Sequence, residues 1–232
     1  MSHQHLGGAA SPCHWGTMRT VGVFSQKGGS GKSTLAIHLA VVAAHLRKVL
    51  IVDADPQGTV SAWGMARTRP EPLVVRADPS TITEVHAAAL REGFDLVLID
   101  CPPHAVPGTA ALLRHSDHII TPVQPTMPDI AATGRTVSLA KAAGKSFSFV
   151  INRAPARAAE IAQAQQALSA LGTLSPAMIG DRRAFSRALA DGLAVSEAAR
   201  GNELAAIEVI RYWRWLEQHL LENSTWQQPE AA

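Results

Sequence analysis

With 232 residues, 47% of them hydrophobic, the chain can bury one substantial α/β core but is too short for two ordinary domains. Net charge is only +2, no apolar run reaches the length of a membrane span, and the first residues lack the basic-then-apolar layout of a signal peptide, so the expected location is the cytoplasm. Cys13 and Cys101 stand in unlike places, which indicates neither a disulfide framework nor a Cys-x-x-Cys metal site.

Residues 1–17 are rich in Gly, Ser and His, show no period, and are expected to form a disordered tail. His3, His5, Cys13 and His14 match no zinc spacing. A single domain is expected over 18–222, followed by a flexible tail over 223–232. Within that domain, apolar and β-branched runs predict strands at Thr20–Ser25, Val49–Asp53, Leu73–Ala77, Leu96–Asp100, His118–Val123, Phe147–Asn152 and Leu174–Ile179. Helical patterns fill the gaps at Ser33–Arg47, Ile82–Arg91, Ile130–Ala143 and Ala158–Leu171. Strands separated by helices predict an α/β fold, a doubly wound, mostly parallel sheet with helices on both faces.

Between the first strand and the first helix lies Gln26-Lys27-Gly28-Gly29-Ser30-Gly31-Lys32-Ser33-Thr34. Its strand–loop–helix setting is the one a phosphate-binding loop requires. Glycines let backbone N–H groups curl round phosphate oxygens without Cβ clashes, and the helix N-terminus adds partial positive charge. Lys32 supplies a full charge for the β- and γ-phosphates, and Ser33 a hydroxyl for Mg²⁺. The usual spacing G-x-x-x-x-G-K-S/T is broken at its first position by Gln26, and a second lysine, Lys27, precedes the glycine pair. A second lysine implies negative charge that the first does not reach.

Asp53, Asp55 and Asp100 fall at the carboxyl ends of predicted buried strands, where open α/β sheets place ligand chemistry. Carboxylates there can hold Mg²⁺ through its waters, because that ion keeps much of its hydration shell. An aspartate at such a position can instead cap the following helix, and for Asp53 both readings stay open.

The last predicted helix, Glu203–Leu221, places Leu204, Ile207, Ile210, Trp213, Leu216 and Leu220 along one side. Trp213, Trp215 and Trp226 would suit a membrane surface, but Glu208, Glu217 and Glu222 dilute the basic face, so the stripe is expected to pack on the domain. Upstream, Lys141, Lys145, Arg153, Arg157, Arg182, Arg183 and Arg187 stand against Glu160 and Asp181, a local excess of +5. Such a concentration can form a sequence-independent footprint on phosphate backbones, with Arg182, Arg183 and Arg187 as candidate DNA contacts and Arg211 and Arg214 as further ones. Stacking on single strands is not expected of this region.

The loop resembles the deviant Walker A motif, K-G-G-x-G-K-S/T, of the ParA/MinD family of ATPases. Asp53-Ala54-Asp55-Pro56-Gln57 resembles the family's D-x-D-P-Q, Asp100-Cys101-Pro102-Pro103 its Walker B D-x-P-P, Pro122-Val123-Gln124-Pro125 its P-x-x-P, and Asn152-Arg153 its N-R pair. The resemblance covers about Thr20 to Val195 and is nearest to the short ParA-type partition proteins. It implies that the phosphate loop from Lys27 to Thr34 binds ATP, that Asp55 positions the attacking water, that Ser33, Asp55 and Asp100 serve Mg²⁺, and that Asn152 recognises adenine. It also implies a homodimer with ATP between its subunits, in which Lys27 reaches the partner's phosphates. Nonspecific DNA of the nucleoid and a ParB-like or other small stimulating partner complete the implied cycle, which moves a plasmid, a chromosome or a protein assembly. Iron–sulfur relatives are excluded for lack of cysteine ligands. Competing readings are a MinD-like membrane-associated ATPase, a P-loop kinase or ligase acting on a small molecule, and a polymerising scaffold that does not hydrolyse ATP.

Overall fold

Runs such as Leu96–Asp100 and His118–Val123 are apolar on both sides of the pleat, and a strand of that kind is stable only when covered on both faces. In the computed structural model, which describes residues 15, 17–104, 106–155, 159–198 and 201–222, they lie inside such a sandwich. Seven parallel strands, β1 (Arg19–Val23), β2 (Val49–Asp53), β3 (Leu73–Arg76), β4 (Leu96–Asp100), β5 (His118–Val123), β6 (Ser146–Ile151) and β7 (Thr173–Leu174), pair in the order β3-β2-β4-β1-β5-β6-β7. Eight α-helices accompany them among the described residues: α1 (Lys32–Ala43), α2 (Thr59–Ala66), α3 (Ile82–Arg91), α4 (Thr109–His115), α5 (Met127–Ala142), α6 (Ala159–Leu171), α7 (Arg183–Ala190) and α8 (Glu203–Glu222).

Alternate residues of each strand feed opposite cores. Val21, Val23, Leu96 and Leu98 pack with α1, α2, α7 and α8, while Val97, Ile99 and Ile119 pack with α3 and α4, and Val123 and Ile151 with α5 and α6. Because all pairings are parallel, with Asp53 level with Asp100 and Val23 level with Asp100, the carboxyl ends of β1, β2 and β4 open on the same rim.

Three short helices, α2, α4 and α7, escape the sequence pattern. Two of them, α2 and α4, start after left-handed glycines, Gly58 and Gly108, with no side-chain cap on the residue itself. Helix α1 stops at Ala43 instead of reaching Arg47, and α5 begins early at Met127, where Thr126 accepts from the Asp129 N–H and Pro128 occupies the first turn. The strand expected over Leu174–Ile179 shrinks to Thr173–Leu174. Ser175 and Ile179 still donate to Phe149 and Ile151 carbonyls at 2.9 Å, but Pro176 between them has no N–H to continue the ladder.

Helix α8 packs on the domain as expected, through a partly different stripe. Trp213, Leu216 and Leu220 are buried as expected, with Ala205, Val209 and Tyr212 beside them, whereas Leu204 and Ile207 are 63% and 43% exposed. Spacings of three and four residues fit either stripe, and the contact with α1 and the sheet selects between them. Trp15, assigned by sequence to the tail, is buried against Trp213 with ring centroids 6.2 Å apart. Arg47 covers its ring at 4.5 Å and pairs with Glu217 at 3.0 Å. The rest of the expected N-terminal tail, apart from Thr17, and the whole of 223–232, Trp226 included, lie outside the described residues, as does Arg157.

Two core histidines give the fold a pH limit. His118 lies 2.8 Å from both the Ser146 and Ser148 hydroxyls, and burial together with nearby His219 pushes its pKa down to about 3. His38 accepts a hydrogen bond from the Val195 N–H at 3.2 Å, and burial lowers it to about 3 against the pull of Glu197. Each is neutral in the folded state but takes a proton in the unfolded chain near pH 6.5, so their stabilisation is complete above that pH and is lost as pH falls towards 3. The melting temperature should therefore drop between pH 6.5 and 4, and His118→Asn, which keeps hydrogen bonds to the serines, should flatten that dependence in a series of thermal melts. An unchanged pH profile in the variant would show that His118 does not drive acid unfolding.

Candidate functional site

The chain leaves β1 at Val23 and turns through the phosphate loop into α1. Gly29 and Gly31 adopt left-handed φ values of 75° and 91°, which other residues rarely accept. A Cβ on Gly31 would stand 2.3 Å from the Asn152 amide nitrogen, so size and conformation both require glycine there. Three long-range hydrogen bonds hold the loop: the Asn152 side-chain amide donates to the Ser30 carbonyl at 2.7 Å, that of Gln124 to the Gly29 carbonyl at 2.9 Å, and the Gln26 N–H to the Thr136 hydroxyl at 3.3 Å. Among the described residues nothing accepts from the N–H groups of Gly28, Gly29 or Gly31, and Gly31 gives α1 no side-chain cap. Open amides at a helix N-terminus form an anion site.

The two lysines differ in kind. Lys32 is buried, and burial lowers its pKa while Asp100, Asp55 and Cys101 pull it back up. Lys27 is exposed at the lip of the loop and has no ion pair among the described residues. Lys32 is thus placed for a phosphate inside the cleft, and Lys27 for charge outside it.

The three aspartates separate by their partners. Asp53 accepts from the Ser61 N–H at 2.7 Å and its hydroxyl at 2.6 Å, so its carboxylate caps α2 from below and the capping alternative is the one observed. Asp55 is also buried, but among the described residues only the Gln57 N–H, at 2.9 Å, occupies its side chain, and it lines the cleft. Asp100 is fully buried, and among the described residues neither carboxylate oxygen reaches hydrogen-bond geometry, although the Ser33 hydroxyl stands close enough to favour its charged form. Burial pushes its pKa up to about 7, with Asp53 and Asp55 adding to the rise and the nearby Ser33 hydroxyl and Lys32 opposing it. An unpaired buried carboxylate beside a serine hydroxyl is a mismatch that a hydrated divalent cation corrects. Ser33, Asp55 and Asp100 therefore fit Mg²⁺. Among the described residues no three His, Cys, Asp or Glu side chains form a metal cluster by themselves, so the donors would be this mixed set and water.

A cleft of about 790 Å³ runs from the loop past Thr34 and Asn152 to Gly180 and Phe185, large enough for a nucleotide. Arg153, at its far end, is a non-glycine residue with φ of 53° and approaches Asp181 at 3.4 Å. Arg182 departs from the sequence expectation. Its guanidinium is held by both Glu208 oxygens, at 3.0 and 2.6 Å, and the Gly180 N–H donates to the same carboxylate at 3.0 Å. It braces the cleft wall, and a DNA phosphate would have to compete with Glu208 for it. Arg183, Arg187, Arg211 and Arg214 remain exposed. The structure thus gathers Gly28 to Thr34, Asp55 and Asn152 round one cleft with Asp100 beneath it, while Arg211 and Arg214 lie apart on α8. Sequence reasoning missed Gln124 as a brace, although it stands inside the quoted P-x-x-P segment.

Residues 21–195 match the family described as the CobQ/CobB/MinD/ParA nucleotide binding domain. The chain is 31% identical over 210 residues to maintenance of carboxysome distribution protein A of Gloeobacter kilaueensis, covering 84% of this chain and 96% of that protein. With the chromosome-partitioning ATPase Soj of Thermus thermophilus it shares 34% identity over 137 residues, 46% of this chain and 55% of Soj. Among solved structures, the septum site-determining protein MinD complexed with Mg-ADP from Pyrococcus horikoshii superposes with a TM-score of 0.71 at 20% identity, over 88% of this chain and 97% of that one, a likeness of fold. The chain belongs to the ParA/MinD family of nucleotide-binding proteins. Among the described residues no helix is long and apolar enough to cross a membrane.

Proposed function

We propose that this protein is a positioning ATPase: it binds ATP with Mg²⁺, dimerises with nucleotide between subunits, holds nonspecific DNA in that state, and is released by partner-stimulated hydrolysis. The observation that carries the reading is the division between buried Lys32 and exposed, unpaired Lys27 on one loop. A kinase or ligase acting on a small molecule needs only the first. Mg²⁺ would neutralise phosphate charge and orient the terminal phosphate. Asp55, reaching the cleft from the turn after β2, orders the attacking water, and the Asn152 oxygen, its nitrogen being committed to Ser30, accepts from the adenine amino group. Cargo is a protein assembly or a replicon; similarity to a carboxysome-distribution protein over most of the chain favours the former.

The deciding experiment is duplex DNA binding with ATP, ADP and no nucleotide at several salt concentrations. ATP-dependent, salt-sensitive affinity is expected, and a small-molecule kinase would show none. Asp55→Ala should retain ATP and dimerise while turnover falls about a hundredfold or more, because the phosphate cradle survives the loss of a water-positioning group. Single-turnover hydrolysis and calorimetry separate the two effects, and loss of ATP binding would make Asp55 structural instead.

On the DNA side, Arg183→Ala with Arg187→Ala should weaken binding at every sequence and reduce the slope of log affinity against log salt by roughly one for each phosphate contact removed. Dimerisation should persist in sedimentation. An unaltered slope would move the DNA surface to Arg211 and Arg214.

A further inference from the structure

Away from the nucleotide cleft, a groove of about 340 Å³ lies between α2 and the edge strand β3. Among the described residues strand β3 pairs with β2 alone, so its outer side carries unpaired backbone donors and acceptors. The groove wall is apolar and open: Met65 is 83% exposed and Leu73 48%, with Pro70 and Pro72 beside them. All its charged lining residues are arginines, Arg67, Arg69 and Arg76. Arg67 and Arg69 share the single Glu197 carboxylate, at 2.7 and 3.4 Å, and the Arg69 side chain stays 55% exposed. Arg76 has no carboxylate partner among the described residues and spends its guanidinium on the Pro56 carbonyl at 3.2 Å.

We propose that this groove docks an acidic, extended segment of a partner protein, which adds along the outer edge of β3 and sets its carboxylates against Arg69 and Arg76. Strand addition satisfies the free edge: apolar side chains of the segment cover Leu73 on the face shared with Val75, while the alternate carboxylates fall on the α2 face with Arg76 and supply the charge that Glu197 alone does not. A nucleic acid could use the arginines, but has no use for an apolar wall or a strand edge. Pro56 belongs to the turn that carries Asp55, and the Asp55 carbonyl itself accepts from the Gly58 N–H at 2.9 Å. A carboxylate that draws Arg76 away from Pro56 therefore acts directly on the turn that orders water. This consequence rests on the ATPase reading; the docking surface does not.

The test uses the full chain and a fluorescent synthetic peptide of alternating glutamate and valine, followed by anisotropy. Saturable binding is expected, weakened about tenfold or more, or about 1.4 kcal/mol, by Arg69→Glu with Arg76→Glu. Met65→Glu, at an exposed position where the fold is not at risk, should weaken it likewise. A lysine–valine peptide should bind wild type at least about tenfold less well, and duplex DNA should not displace the acidic peptide. Absence of binding, equal binding of both peptides, or displacement by DNA overturns the proposal. Hydrolysis is measured in parallel: faster turnover with the acidic peptide supports the coupling through Pro56, and peptide binding with unchanged turnover overturns it. Peptide binding by a protein that never hydrolyses ATP would count against the ATPase reading and leave the docking surface intact.

Discussion

Lys32→Ala is expected to reduce ATP affinity by about a hundredfold or more, the loss of roughly 3 kcal/mol that follows when a buried charged pair loses one member. Lys32 is the buried cation of the site and lies among Asp55, Asp100 and the loop amides. Without it, two carboxylates and a triphosphate share one enclosure with no buried cation beside the loop, and the cleft's arginines, Arg153, Arg182 and Arg183, stand at its far end. The fold itself should survive, because burial is the largest influence on Lys32 and disfavours its charge, so removing it relieves a desolvation cost. Calorimetry with Mg-ATP measures the first effect and thermal unfolding of the free protein the second. Near-normal affinity would show that the loop is a connection and not a phosphate cradle.

Lys27→Ala should give the opposite separation. Monomer affinity for ATP should change little, since Lys32 and the open amides remain, while ATP-dependent dimerisation fails. Two triphosphates facing one another are strongly repelled: a pair of unit charges about 4 Å apart is worth about 4 kcal/mol at an effective dielectric of about 20. Removing a cation from each side leaves that repulsion uncompensated, so DNA binding and partner-stimulated turnover should disappear together. Lys27 is exposed and only its backbone is tied down, to the Ser25 hydroxyl at 3.3 Å, so the substitution leaves folding alone. Sedimentation velocity with a slowly hydrolysed ATP analogue and Mg²⁺ decides the matter. A variant that dimerises like wild type would end the role of Lys27 across the interface.

Much of this site is legible before folding because its chemistry is local. Glycines, two lysines and a serine within nine residues define a phosphate loop wherever a strand precedes them and a helix follows, and β1 and α1 stand there. Aspartates ending apolar runs must open on the same rim once the strands are parallel, as the register of Asp53 with Asp100 shows.

The chain pattern does not reveal which aspartate has a partner. Asp53 and Asp55 are two residues apart on the same rim, yet Ser61, eight residues from Asp53, turns the first into a helix cap and leaves the second to the cleft. Likewise Arg182 and Arg183 are adjacent, and Glu208 on α8 captures only the first. The family resemblance implies that Asn152 recognises a base, and its contact with Ser30, 122 positions away, makes it a brace for the loop. Even the buried stripe of α8 was open until α1 and the sheet chose it. Spacing along the chain determined what the residues could do, because backbone geometry and side-chain chemistry act within a few residues. The tertiary structure decided which of them are free to do it, since a buried polar group must find a partner and that partner comes from wherever the fold brings one within hydrogen-bonding distance.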